Sequence, residues 1–176
     1  MLIPGWLVSI ATFPGVIVHE IGHQLFCRIL RISVLDVCYF RFGNPAGYVV
    51  HETPRSTYHH LLVGVGPFVT NTLLGAIIAA PGAIPVLWFE SATPLDYLLI
   101  WLGVSIAMHS FPSSGDAKSI WAALWSEGAP PLARLVGTPL VVVIYAGSIG
   151  SIFWLDLAYG VAVATLVPKL LVAAIA

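Results

Sequence analysis

Charge is what this chain has least of: seven Lys and Arg and eight Asp and Glu among 176 residues, or 9%. Soluble domains carry roughly 25% charged residues, so this chain cannot clothe itself in a polar surface. With 59% hydrophobic residues and a mean hydropathy of +0.95, it reads as an integral membrane protein. The net charge of −1 leaves no basic face for nucleic acid, which is excluded as a partner. Cysteine is equally sparse. Cys27 and Cys38 make no disulfide framework, and no CxxC or Cys/His cluster marks a structural zinc site. No Lys or Arg precedes the first apolar run, MLIPGWLVSIATFPGVIV, which argues against a cleaved signal peptide and for a first span.

Apolar length is what the chain has in excess. A spanning helix needs about 20 mostly apolar residues, and five segments qualify: 2–30, 58–80, 95–111, 132–154 and 157–175. The last two divide one long apolar tract near Asp156. The expected fold class is therefore an all-α polytopic membrane protein with about five transmembrane helices, forming a single domain over 1–176. Arg28, Arg31, Arg41, Arg55, Lys118, Arg134 and Lys169 all fall on one side of this layout, and the other side has Glu90 and Asp156 but no Lys or Arg. The positive-inside rule then places the N-terminus outside and the C-terminus in the cytoplasm. Two connections carry structure of their own. Residues 33–52 hold two β-rich runs around Gly43-Asn44-Pro45-Ala46-Gly47, a small β-hairpin between the first two spans. Residues 117–125 put Ile120, Trp121, Leu124 and Trp125 on one face of a short helix after the third span, suited to the cytoplasmic interface.

The first span is interrupted by His19-Glu20-Ile21-Gly22-His23. Titratable groups in hydrocarbon are costly and mark function. HExxH on a helix sets both His side chains on one face, where they can direct ring nitrogens at one metal ion, with Glu20 beside it to take a proton from water the ion acidifies. The expected cofactor is one Zn2+. A third protein ligand is needed at the same depth. Asp116, in MHSFPSSGDAKSIW, follows the cytoplasmic end of the third span and is the best-placed carboxylate; it also suits a helix N-cap. Asp36, Glu52 and Glu127 lie on the same side, whereas Glu90, Asp96 and Asp156 lie on the other.

These residues resemble the site-2 proteases, the family of intramembrane zinc metalloproteases. HEIGH in an early span, Gly66-Pro67-Phe68-Val69-Thr70-Asn71 against the family's GPxxN, and a Pro-containing segment ending in Asp after a later span carry the likeness. They anchor spans one to three; residues 130–176 show no motif. The third motif departs from the family's NxxP and LDG: His109 stands in place of Asn, the Asp is about one residue closer, and Ala117 follows it. The resemblance implies that Asp116 is the third zinc ligand and that the substrate is a transmembrane helix of another membrane protein, cut within or near the bilayer. It also implies that the β-region pairs with the unwound substrate as an added strand. His109 can serve as oxyanion donor, as an alternative ligand, or as an interfacial residue. Gly66, Pro67 and Asn71 suit close packing or substrate binding near the site, since small residues let helices approach. Pro14-Gly15, one turn before His19, suits a kink. Two other readings compete: a membrane zincin of the prenyl-protein-endopeptidase type with Glu52 or Glu127 as ligand, and a non-proteolytic zinc-binding membrane adaptor.

Overall fold

The first apolar run forms two helices. In the computed structural model, which describes residues 4–175, α1 (Gly5–Ala11) and α2 (Phe13–Ile29) meet at 88° around Thr12. Positions 2 and 3 of the expected 2–30 span lie outside the described residues. The kink expected at Pro14-Gly15 is thus a full break, slightly earlier. Pro14 lies in the first turn of α2, where its missing N–H leaves no helical bond unmade. Ser105, from a later helix, closes the gap: its hydroxyl donates to the Thr12 carbonyl (3.0 Å) and accepts from the Gly15 N–H (3.3 Å).

Strands β1 (Val34–Cys38) and β2 (Tyr48–His51) then form the expected hairpin, antiparallel, with Val34 opposite His51 and Cys38 opposite Tyr48. A register irregularity lies between Val34 and Asp36. Next comes α3 (Thr57–Trp88), which runs well past the expected end at residue 80 and through Pro67, Pro81 and Pro85. Proline ends helices in water but is tolerated where helices surround one another in an apolar medium. Its 32 residues make a post roughly 48 Å long at ~1.5 Å per residue, and α2, α4, α5, α6 and α7 all pack on it.

Helix α4 (Pro94–Met108) stops short of the expected residue 111, with His109 as its C-cap. After α5 (Ser114–Leu124) come α6 (Pro131–Gly150), a 3-10 turn over Ser151–Phe153, and α7 (Leu155–Ile175). The division of the last apolar tract falls at Trp154, whose φ of 62° turns the chain. Among the described residues three helices are long and apolar enough to cross a membrane: α3, α6 with its 3-10 turn, and α7. The bent α1–α2 pair would make a fourth, and α4 is apolar but shorter. The count by length is three or four, against the five expected.

The expected single face of α5 divides in two. Ile120 and Leu124 are buried against α3 and α6, while Trp121 and Trp125 point outward with ring centroids 5.5 Å apart. Residues 120 and 121 are a hundred degrees apart on a helix, so the two pairs form neighbouring stripes, one covered and one free. Arg134 of α6 closes the end of α5, donating from Nε to the Leu124 carbonyl at 3.0 Å and from Nη2 to that of Ser126 at 3.3 Å.

The contact between α3 and α4 is made backbone to backbone. A Cβ on Gly103 would lie 2.5 Å from the Ala79 methyl and 2.6 Å from the Gly75 carbonyl oxygen, whereas one on Gly5 meets nothing within 4 Å. Gly103→Val is therefore expected to push the helices apart and to destabilise by at least the ~1–3 kcal/mol of ordinary overpacking. Gly5→Ala should be neutral or mildly stabilising. Thermal unfolding of the two variants in one detergent measures the difference.

Candidate metal centre

His19 and His23 share a face of α2, their rings edge to face with centroids 4.9 Å apart. Gly22, between them, lets α3 come close: a Cβ there would lie 2.5 Å from the Thr70 hydroxyl and 2.9 Å from Pro67 Cα. Gly66 does the same for the Phe26 ring, so Gly66 and Pro67 act here by packing α3 onto the histidine helix. Gly15 performs this role toward α4, where a Cβ would run into the Ser105 carbonyl and lie 2.5 Å from the His109 ring.

The orientation of each imidazole follows from a backbone carbonyl. His19 Nδ1 lies 2.7 Å from the His109 carbonyl oxygen, and His23 Nδ1 lies 3.0 Å from that of Val63. A carbonyl only accepts, so both rings carry hydrogen on Nδ1 and turn Nε2 to the site. Both carbonyls are free for identifiable reasons. Val63 sits four residues before Pro67, and proline has no N–H to close the helical bond to it. His109 ends α4, where the last carbonyls have no helical partner. Asn71, fully buried, steadies this arrangement: its Nδ2 donates to the carbonyls of Gly15 (3.2 Å), Ile106 (3.0 Å) and His109 (3.2 Å), tying α2 to the end of α4.

Asp116 arrives on α5 as the third donor. It occupies the third position of that helix, whose N-cap is Ser113, one turn earlier than the expected Ala117 start. Its Oδ2 accepts from the Ser113 N–H (2.8 Å) and hydroxyl (2.6 Å), while Oδ1 stands 3.5 Å from His23 Nε2. Capping and ligation are thus not alternatives: one carboxylate oxygen caps the helix and the other is left facing His23. Burial favours the neutral acid, but a protonated His23 donating from Nε2, the positive charge of His19 when protonated and the Ser113 hydroxyl outweigh it and hold Asp116 below the usual carboxylate range. This favours the carboxylate, the form that ligates once the imidazoles give up those protons.

Donor atoms of His19, His23 and Asp116 all lie within 4.8 Å of one another, the one such group among the described residues. Two imidazoles and a carboxylate are a donor set that suits zinc. Glu20 is buried and lines the same cavity of about 380 Å3, with Gly47 of the hairpin loop against it. A Cβ at position 47 would lie 2.7 Å from Glu20 Cγ and 3.0 Å from its Oε1. Asp36, Glu52 and Glu127 are exposed and stand outside the donor group.

His109 lines the cavity, but its ring is engaged elsewhere. The Thr12 hydroxyl spends its proton on the Val8 carbonyl (2.7 Å), so His109 Nε2, 2.8 Å away, donates to Thr12 Oγ1. What His109 offers the metal group directly is its carbonyl. Thr12, Val63, Ser105, Ser113 and Gly47 all escape motif reading, although S-x-x-D before an apolar run is a legible capping box. His51 belongs to no motif either; it lines the cavity from β2, its Nδ1 2.8 Å from the Glu52 carbonyl oxygen.

No protein-family model, no curated protein and no solved structure matches the chain.

Pro67→Ala restores the N–H that Val63 lacks, so the helix bond and His23 then compete for one carbonyl. The expected result is a zinc affinity lower by roughly 10–100-fold, the usual effect of losing an orienting partner, with thermal stability little changed as the helix bond gained offsets the buried ring lost. Chelator competition and a melting curve on the same sample measure both.

Proposed function

We propose that the chain is an intramembrane zinc metalloendopeptidase of the site-2 protease kind, hydrolysing peptide bonds in transmembrane segments of membrane-protein substrates. The observation that carries this reading is the pair of imidazoles, each held at Nδ1 by a backbone carbonyl and converging at Nε2 with the Asp116 carboxylate beside Glu20. Such supports fix tautomer and ring orientation in metal sites. In this reading α1–α2 and α4 join the three longer helices as membrane passes, with the N-terminus outside and the site toward the basic, cytoplasmic side.

His19, His23 and Asp116 would hold the ion. Bound zinc supplies a Lewis acid that acidifies water and polarises a carbonyl oxygen. Glu20 takes the proton of the attacking water on its carboxylate and returns it to the departing amine, a general base and then acid. The cavity around it admits both the water and a stretch of chain, and Gly47 keeps the hairpin loop close enough to wall Glu20 from bulk solvent without displacing it. Asn71 and His109 act as positioning groups, through the carbonyl that orients His19.

Glu20→Gln should retain zinc at one ion per chain and lose cleavage of a single-span reporter by roughly 10²–10⁴-fold, the contribution of a positioned base. Asp116→Asn should lose both zinc and cleavage. Undiminished zinc and activity in Asp116→Asn would remove Asp116 from the ligand set, and a zinc-loaded wild type that cuts no reporter would favour an adaptor.

A further inference from the structure

The cavity at the metal group is the inner part of a longer groove. Ser9, Asn44 and Ala46 line it at one end, and these same residues line a second cavity of about 660 Å3 beyond them. This outer chamber lies between α1 and the hairpin loop, with Trp6 on one wall and Phe40 and Phe42 on the other. The chemistry changes along the groove. Imidazoles and carboxylates line the inner chamber together with Tyr48 and Phe111, whereas aromatic rings line the outer one, with Arg41 held by its Nε on the Pro45 carbonyl as its one charged residue among those described. Those rings are poorly covered, Trp6 being 57% and Phe42 83% exposed, and no residue of α1 is buried.

Hydrolysis at the inner end requires a chain that continues away from the bond being cut, and the shared neck gives it a course into the outer chamber. That chamber falls within the ~300–1,000 Å3 of ligand-binding cavities, too large for one side chain and suited to several consecutive residues. The neck also selects the kind of occupant. Ser9 and Asn44 offer donors and acceptors that an acyl chain cannot use, but that an extended backbone, with its amides free of helical partners, needs.

We propose that the outer chamber is the subsite for apolar residues on one side of the cleaved bond. It holds an extended segment whose backbone meets Ser9 and Asn44 and whose large side chains lie against Trp6 and Phe42. The assignment rests on the peptidase reading above.

Gly5 borders the outer chamber, and a Cβ there meets nothing within 4 Å, so Gly5→Phe adds bulk at the chamber's edge without a clash. The test uses full-length protein loaded with zinc and two single-span reporters, identical except for Phe or Ala close to the cut. Wild type should prefer Phe, and Gly5→Phe should raise KM for that reporter roughly tenfold or more, the worth of a filled apolar pocket. The Ala reporter should shift less, and zinc content should stay the same. In a Glu20→Gln background, Phe42→benzoylphenylalanine should crosslink to the reporter beside the cut. Unchanged cleavage of both reporters by Gly5→Phe would overturn the subsite while leaving the peptidase standing. Crosslinks that go to lipid and that added reporter does not suppress would overturn it as well. A zinc-loaded wild type that cuts neither reporter would overturn the peptidase reading, and the subsite with it.

Discussion

Two backbone carbonyls without helical partners govern the centre of this protein. One exists because Pro67 cannot donate to Val63, and the other because α4 ends at Met108 and leaves His109 as its cap. Each accepts the Nδ1–H of one histidine of the HEIGH helix. A free carbonyl in apolar surroundings costs several kcal/mol, and an imidazole with an unpaired N–H is penalised in the same way. Pairing them removes both costs and, as a by-product, leaves each Nε2 aimed at Asp116. The geometry of the donor group is therefore a consequence of where two other helices are defective.

The same accounting explains the polar layer around the group. Asn71, Ser105, Ser110, Glu20 and His23 are buried in a chain whose other buried side chains are apolar or small. A charged residue at mid-membrane costs ~2.5–3.5 kcal/mol even on the most lenient scales, and unpaired amides or hydroxyls also cost. The cost is met locally. Ser105 spans the α1–α2 break, Thr12 links that break to the His109 ring, and Asn71 serves three carbonyls with two N–H groups, so one is shared. Among the described residues no buried side-chain nitrogen or oxygen lacks a partner. A fully satisfied network of this kind specifies one arrangement of α2, α3 and α4.

Much of this was legible in the amino-acid order, and the limits have physical causes. The hairpin around Gly43–Gly47 and the long apolar tract divided near Asp156 rest on periodicity or spacing, and those the structure bears out; it also brings donor atoms of His19, His23 and Asp116 within 4.8 Å of one another. Three features depend on tertiary surroundings and escaped. The break at Thr12 is stabilised by Ser105, ninety-three positions away in the chain, so no local pattern announces it. Helix α3 runs through Pro81 and Pro85 because neighbours cover its sides, where a residue-by-residue rule ends it at 80. The α5 residues Ile120, Trp121, Leu124 and Trp125 read as one face in the sequence, but α3 and α6 cover only half of it. For Asp116 the two roles are compatible because a carboxylate has two oxygens, and capping the helix uses one.

The segment between α4 and α5 can be weighed on the same terms. The His109 ring turns to Thr12 and braces the bend between α1 and α2, and its backbone carbonyl supports His19. Any residue at this C-cap would offer that carbonyl, so the orientation of His19 does not depend on the side chain at position 109, which adds a link to α1. The approach of Asp116 is set in the same way, because Ser113 starts α5 in time to place the carboxylate on its third position, facing His23. At both places backbone geometry, not side-chain identity, positions the donors.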